Sequence, residues 1–130
     1  MKKSGILHAE LSRQIALLGH TDLIAVADSG LPLPRSIPVI DLAMAPGMVP
    51  FTAALDVLLS ELVVQRHTVA HEAFDEVAGQ WISQRAGQLG EQVALLHEEL
   101  KAMLPRMAFA VRTGEQSPYA NVILECGVPF

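Results

Sequence analysis

An α/β fold is what this sequence predicts: a three-layer single domain, with helices flanking a mixed, mostly parallel sheet. Three observations predict it. Short apolar runs alternate with segments of helical spacing, as in chains that lay helices over a sheet. The clearest run, Leu23-Ile24-Ala25-Val26-Ala27 between Asp22 and Asp28, is apolar at every position, so it reads as a strand buried on both faces. The last two runs are joined by a loop too short for a crossover helix, so they are expected to pair antiparallel and make the sheet mixed.

Taken in order, His8 to Leu18 places Leu11, Ile15 and Leu18 on one helical stripe, and Gly19 follows as a stop. The Leu23–Ala27 strand comes next. Residues 29–38 hold three prolines, which lack backbone donors, and cannot be regular structure. Val39-Ile40-Asp41-Leu42 reads as a strand and residues 46–50 as a turn. Phe51 to Glu61 has helical spacing through Leu55, Leu58 and Leu59, and Leu62 to Ala70 is β-rich. A helix is expected over Glu72 to Gly87, with Phe74, Val77, Trp81 and Ile82 inward. Gln92 to Leu96 is a strand, and His97 stands at the start of a short helix, Glu98 to Met103. Ala108 to Arg112 and Asn121 to Glu125 are the final strands.

The length, 130 residues, suits one domain, and no linker or repeat divides it. Apolar residues make up 51% and charged residues 18%, which is apolar for so small a domain. Burial between subunits is the simplest remedy, so a homo-oligomer is expected. The net charge is −5 and no Lys/Arg run exists, so nothing supports nucleic-acid binding. The single cysteine, Cys126, sits in an apolar strand and reads as a packed thiol. The start has no long apolar segment of the secretory kind, and no run approaches the ~20 residues that span a bilayer. A soluble cytoplasmic protein is expected.

Three polar clusters punctuate the apolar chain: Gly19-His20-Thr21-Asp22, Asp28-Ser29-Gly30, and Arg112 to Glu115 with Ser117 to Asn121. Ligands of open α/β sheets collect at strand ends, which favours Asp28, and His97 follows another strand in the same way. Each residue also has a structural reading. His20 could cap a helix end, Asp28 could form an Asx turn, Asn121 could satisfy backbone groups, and Tyr119 could simply pack with its hydroxyl in water. His67 and His71 lie four apart, but the segment straddles a strand and a helix start, so no metal site is expected. Neither GxGxxG nor a phosphate-binding lysine loop occurs, and a cofactor has no support. No GxSxG elbow marks a hydrolase.

The ordered set Met1-Lys2-Lys3, Gly19-His20-Thr21-Asp22, Asp28-Ser29-Gly30-Leu31-Pro32, Ile40-Asp41, His97-Glu98-Glu99, Arg112-Thr113-Gly114-Glu115, Ser117-Pro118-Tyr119-Ala120-Asn121 and Cys126-Gly127-Val128 resembles the D-ribose pyranase family from Met1 to Phe130. The related L-fucose mutarotases share its general pattern, but the Asp28 and Ser117 motifs are closer to the ribose branch. Ser29 stands where alanine is usual and His8 where asparagine is common, and residues 67–92 match loosely. The resemblance implies a three-layer α/β domain assembled as two stacked pentameric rings, a homodecamer, with sites in clefts between adjacent subunits. It implies a site histidine at His20, a binding aspartate at Asp28, a second histidine at His97, and ligand contacts at Tyr119 and Asn121.

The implied reaction interconverts pyranose and furanose forms of free D-ribose without metal or cofactor. Ring opening needs a base for the anomeric hydroxyl and an acid for the ring oxygen, and histidine suits both near neutral pH. His20 is assigned as the acid/base. Asp28 binds a sugar hydroxyl or orients the histidine. His97 transfers protons or binds, and Tyr119 and Asn121 supply hydrogen bonds. Two alternatives use the same residues: an L-fucose-type mutarotase, and a non-catalytic ribose-binding accessory of a sugar transport system.

Overall fold

In the computed structural model, which describes residues 1–130, the chain runs through α1 (Ala9–Ala16), β1 (Leu23–Ala27), β2 (Val39–Asp41), α2 (Phe51–Leu59), β3 (Val64–Ala70), a 3-10 turn (His71–Asp75), α3 (Val77–Ser83), α4 (Ala86–Leu89), β4 (Glu91–Leu95), α5 (His97–Met103), a second 3-10 turn (Leu104–Arg106), β5 (Phe109–Arg112) and β6 (Val122–Cys126). The strands form one six-stranded sheet in the order β2-β5-β1-β6-β3-β4. Only β6 runs against its neighbours, β1 and β3, so the sheet is mixed and mostly parallel, as predicted.

β1 lies inside the sheet because both of its faces are apolar. Ile24 and Val26 enter the larger core with Leu11, Phe51, Leu55, Ile82 and Leu89, which come from α1 to α4. Ala25 and Ala27 face the other way, toward Leu31, Leu100 and Leu104, following the two-residue period of a strand. Ala70 and Ala110 join that second face, where four alanines seat Leu100 of α5 and Leu104 of the second 3-10 turn. Leu100 is fully buried there, a burial that stabilises by roughly 1.5–3 kcal/mol. Helices therefore cover both faces and give the three expected layers. At the start of α1, His8 Nδ1 accepts the Leu11 N–H at 3.1 Å, the capping role that asparagine fills well. His8, which stands where the resemblance has asparagine, thus caps α1.

Two expectations are corrected. β5 and β6 do not pair: β1 lies between them, parallel to β5 and antiparallel to β6. Residues 113–121 cross the carboxyl end of β1 instead of turning back on β5. The crossing is stitched down by Thr113, whose N–H and hydroxyl both donate to the Ala27 carbonyl at 2.9 and 2.8 Å, and by Ser29 N–H donating to Glu115 O at 2.8 Å. Two strand spacings are about 10 Å, well within reach of that segment.

The helix expected over Glu72 to Gly87 is broken into the 3-10 turn, α3 and α4. Glu76 takes an extended conformation between the first two pieces. Phe74 and Val77 are exposed, and Ala73 and Ala78 face inward instead. Trp81 and Ile82 point in as expected, with Trp81 half-buried and stacked on Phe51 at 6.5 Å between ring centroids. The cause is a close backbone approach: a Cβ at Gly79 would collide with the Ala73 carbonyl oxygen, so the chain folds tightly there only because residue 79 is glycine.

Leu7, Leu17, Met44, Val57, Phe74 and Leu96 stay exposed. No helix is long and apolar enough to cross a membrane.

Candidate active site

Every strand except β6 ends on the same edge of the sheet, where β6 begins. Asp28 follows β1 on this edge, His97 follows β4, and Tyr119 and Asn121 precede β6. Carboxyl ends of strands are where ligands of such sheets collect.

Asp28 is tightly organised. Its Oδ1 accepts the N–H groups of Gly30 and Leu31 at 2.9 and 2.8 Å, the Asx turn foreseen as its structural reading. Its Oδ2 accepts Asn121 Nδ2–H at 2.8 Å, while Asn121 Oδ1 accepts the Asp28 N–H at 2.8 Å. Asn121 is 1% exposed, so its amide acts on Asp28 from behind. Tyr119, whose carbonyl accepts the Asn121 N–H at 2.8 Å, sits in the left-handed region at φ 58°. Non-glycine residues rarely adopt it, and such residues gather at binding sites.

His97 opens α5 with its ring edge-on to Tyr119, centroids 5.1 Å apart. Its Nδ1 is buried and meets no hydrogen-bond partner in the chain. The backbone N–H of His97 donates to both oxygens of Glu72, at 3.0 and 3.2 Å. Glu72's own N–H, and against the opposing effect of burial that of His97, hold its carboxyl below the usual range. Asp28, Gly30, Leu31, His97, Pro118 and Tyr119 line a cavity of about 250 Å³, small beside the ~300–1,000 Å³ typical of ligand pockets. A second cavity, about 290 Å³, lies beside Ser29 and Arg112. There Arg112 is occupied by Ser29 O at 3.1 and 3.2 Å and by Asp41 Oδ2 at 2.9 Å.

The loop carrying Tyr119 is pinned by Glu115. Burial pushes the Glu115 carboxyl up, but the N–H groups of Ser117, Phe51 and Gln116 outweigh it and hold it below its usual range. The Phe51 bond also caps α2, because Pro50 has no side-chain donor or acceptor to do so.

His20 is not in this cavity. It lies in the loop before β1, at the opposite end of the strand from Asp28, roughly 17 Å along. Its Nε2 meets Gln65 Oε1 at 3.0 Å on the exposed surface. One chain therefore gathers Asp28, His97, Tyr119 and Asn121 and leaves His20 apart. His67 is buried against Leu89 O and Gln92 Oε1, and His71 packs on Phe74, so the two histidines have separate surroundings. Glu72 stands outside the three polar clusters of the sequence. Its signal is that Leu96, just before α5, has no side-chain polar group for a cap, so the helix start needs an acceptor from elsewhere.

Residues 1–129 match the RbsD / FucU transport protein family. A D-ribose pyranase from Cutibacterium acnes is 48% identical over 130 residues, covering 100% of both chains. The structure of Bacillus subtilis RbsD complexed with D-ribose matches with a TM-score of 0.94 and 39% identity, covering 100% of both chains. A fucose mutarotase from Streptococcus pneumoniae, solved with L-fucose, has the same fold at 21% identity, with a TM-score of 0.74 over 93% of each chain. With a full-length relative at this identity and a family match over nearly every residue, the chain belongs to the RbsD / FucU transport protein family.

Proposed function

We propose that this protein interconverts the pyranose and furanose forms of free D-ribose, opening and reclosing the ring by proton transfer without metal or cofactor. Full-length similarity to D-ribose pyranases supports the reaction. The observation that carries the site is the cavity lined by both a fixed carboxylate, Asp28, and a histidine with a buried, unpartnered nitrogen, His97. Such an orphan costs about 1–3 kcal/mol, which a ligand or a shift of the ring on binding relieves.

In ring opening a base takes the anomeric hydroxyl proton, the bond from C1 to the ring oxygen breaks, and an acid returns a proton to that oxygen. Reclosure by a different hydroxyl reverses these steps. Asp28 Oδ2, already bonded to Asn121, keeps lone-pair capacity for a sugar hydroxyl. Tyr119 adds its hydroxyl, and His97 binds the sugar or carries a proton. Asn121 holds Asp28 in place. His20, the principal acid/base of this reading, reaches the cavity from a neighbouring copy. The exposed Leu7, Leu17, Met44, Val57, Phe74 and Leu96 support assembly of the kind stacked pentameric rings provide. The reaction on a free sugar suits the cytoplasm.

Saturation-transfer NMR tests the reading. Accelerated exchange between the ring forms of ribose, exceeding any effect on fucose anomers, is the expected result. Line broadening without exchange would identify a ribose-binding accessory, and preference for fucose would identify a mutarotase. Light scattering reporting monomers at micromolar concentration would remove the shared site.

A further inference from the structure

His20, Gln65 and Glu125 form a hydrogen-bonded chain across three parts of the fold. His20 Nε2 lies 3.0 Å from Gln65 Oε1 on β3, and Gln65 Nε2 donates to Glu125 Oε1 on β6 at 2.6 Å. Glu125 is anchored in turn, its Oε2 meeting the Arg66 guanidinium at 3.4 Å, which also pairs with Glu91 at 3.1 Å. β3 and β6 are paired strands with Arg66 opposite Glu125, so this anchoring belongs to the sheet.

An ionised carboxylate only accepts hydrogen bonds. Glu125 therefore requires Gln65 to present its NH₂ group, which leaves the amide oxygen facing His20. An amide oxygen also only accepts, so the His20 nitrogen facing it must carry the hydrogen. The neutral ring then has its lone pair on Nδ1.

We propose that Gln65, oriented by Glu125, is a positioning residue that holds His20 as the Nε2–H tautomer and makes Nδ1 the atom exchanging protons with the sugar. The inference rests on the reading of His20 as the acid/base. When Nδ1 takes the anomeric hydroxyl proton, the ring becomes an imidazolium and Nε2–H still donates to Gln65. When Nδ1 gives the proton to the ring oxygen, the original tautomer returns. The contact to Gln65 thus serves both charge states without rearrangement, and proton gain and loss balance on one nitrogen.

The test combines ¹⁵N spectra of the histidine rings of the assembled protein, with His20 assigned through its loss in His20→Asn, and saturation-transfer rates on ribose. Neutral His20 is expected to carry its hydrogen on Nε2. Gln65→Leu should admit the Nδ1–H tautomer and lower kcat roughly three- to tenfold, the equilibrium weight of one net hydrogen bond, with KM within about twofold. The double exchange Gln65→Glu with Glu125→Gln keeps an acceptor-only group against Nε2 and should preserve the tautomer and most of the rate. An Nδ1–H ring in the unaltered protein, or a Gln65→Leu protein with unchanged tautomer and kcat, overturns the inference. If His20→Ala abolishes exchange while Gln65→Leu changes nothing, only the positioning role falls. Wild-type exchange by His20→Ala removes the catalytic reading and this inference with it.

Discussion

Asn121 and Asp28 clasp each other through two hydrogen bonds of 2.8 Å, amide oxygen to backbone N–H and amide nitrogen to carboxylate. The arrangement fixes which way the amide points, and it joins the carboxyl end of β1 to the amino end of β6. Under the proposed function, the buried asparagine would bear on ligand binding through the carboxylate in front of it.

Asn121→Ala breaks both bonds and leaves the Asp28 N–H without its partner. Ribose affinity should fall by about tenfold while exchange at saturation changes less. Stability should drop by about 1–3 kcal/mol, the cost of an unsatisfied buried group. Binding by titration calorimetry and thermal unfolding on the same preparation check this.

His20→Ala should lower the ring-exchange rate by at least about tenfold, toward the lower edge of what acid–base catalysis supplies. Because His20 is exposed, its removal should change stability by no more than about 0.5 kcal/mol. A clear loss of stability with wild-type exchange would assign the residue to structure and move attention to His97.

Glu115 gives a pH dependence of defined sign. Its folded carboxyl lies below the ordinary value of 4.5, since burial raises it less than the three N–H bonds lower it. The unfolded chain therefore binds the proton first, so the stabilisation is present above pH 4.5 and is lost as pH falls through the lower folded value. Glu115→Gln should lower Tm at pH 7 and converge with the unaltered protein in strong acid.

Burial, with Asp22 and Glu125 nearby, pushes the Cys126 thiol up to about 11. The native protein should resist thiol reagents at pH 8 and react fully once unfolded in guanidinium. Rapid native labelling would contradict the packing of β6.

Local signals were sufficient for β1: its five apolar residues end at aspartates, and its boundaries are those expected. The partner order of β5 and β6 was not legible, because loop length limits reach without naming the strand that slips between. The break between the 3-10 turn and α3 depends on the contact between Gly79 and Ala73, which helical spacing does not encode. Asp28, His97, Tyr119 and Asn121 were legible as residues beside strand ends, and the structure brings them together. Glu72, Gln65 and Glu125 were not, since each acts on a residue distant in sequence and has no motif of its own.

The separation of His20 and Asp28 at opposite ends of β1 has a genetic consequence. If each cleft draws one residue from either of two adjoining copies, a chain lacking His20 and a chain lacking Asp28 are each impaired at every cleft alone but not together. Co-expressed in equal amounts and randomly mixed around a closed ring, they should rebuild intact clefts at about a quarter of positions. Complementation between two impaired alleles, with activity rising toward that fraction of the unaltered protein's, is the behaviour this geometry demands of a shared cleft.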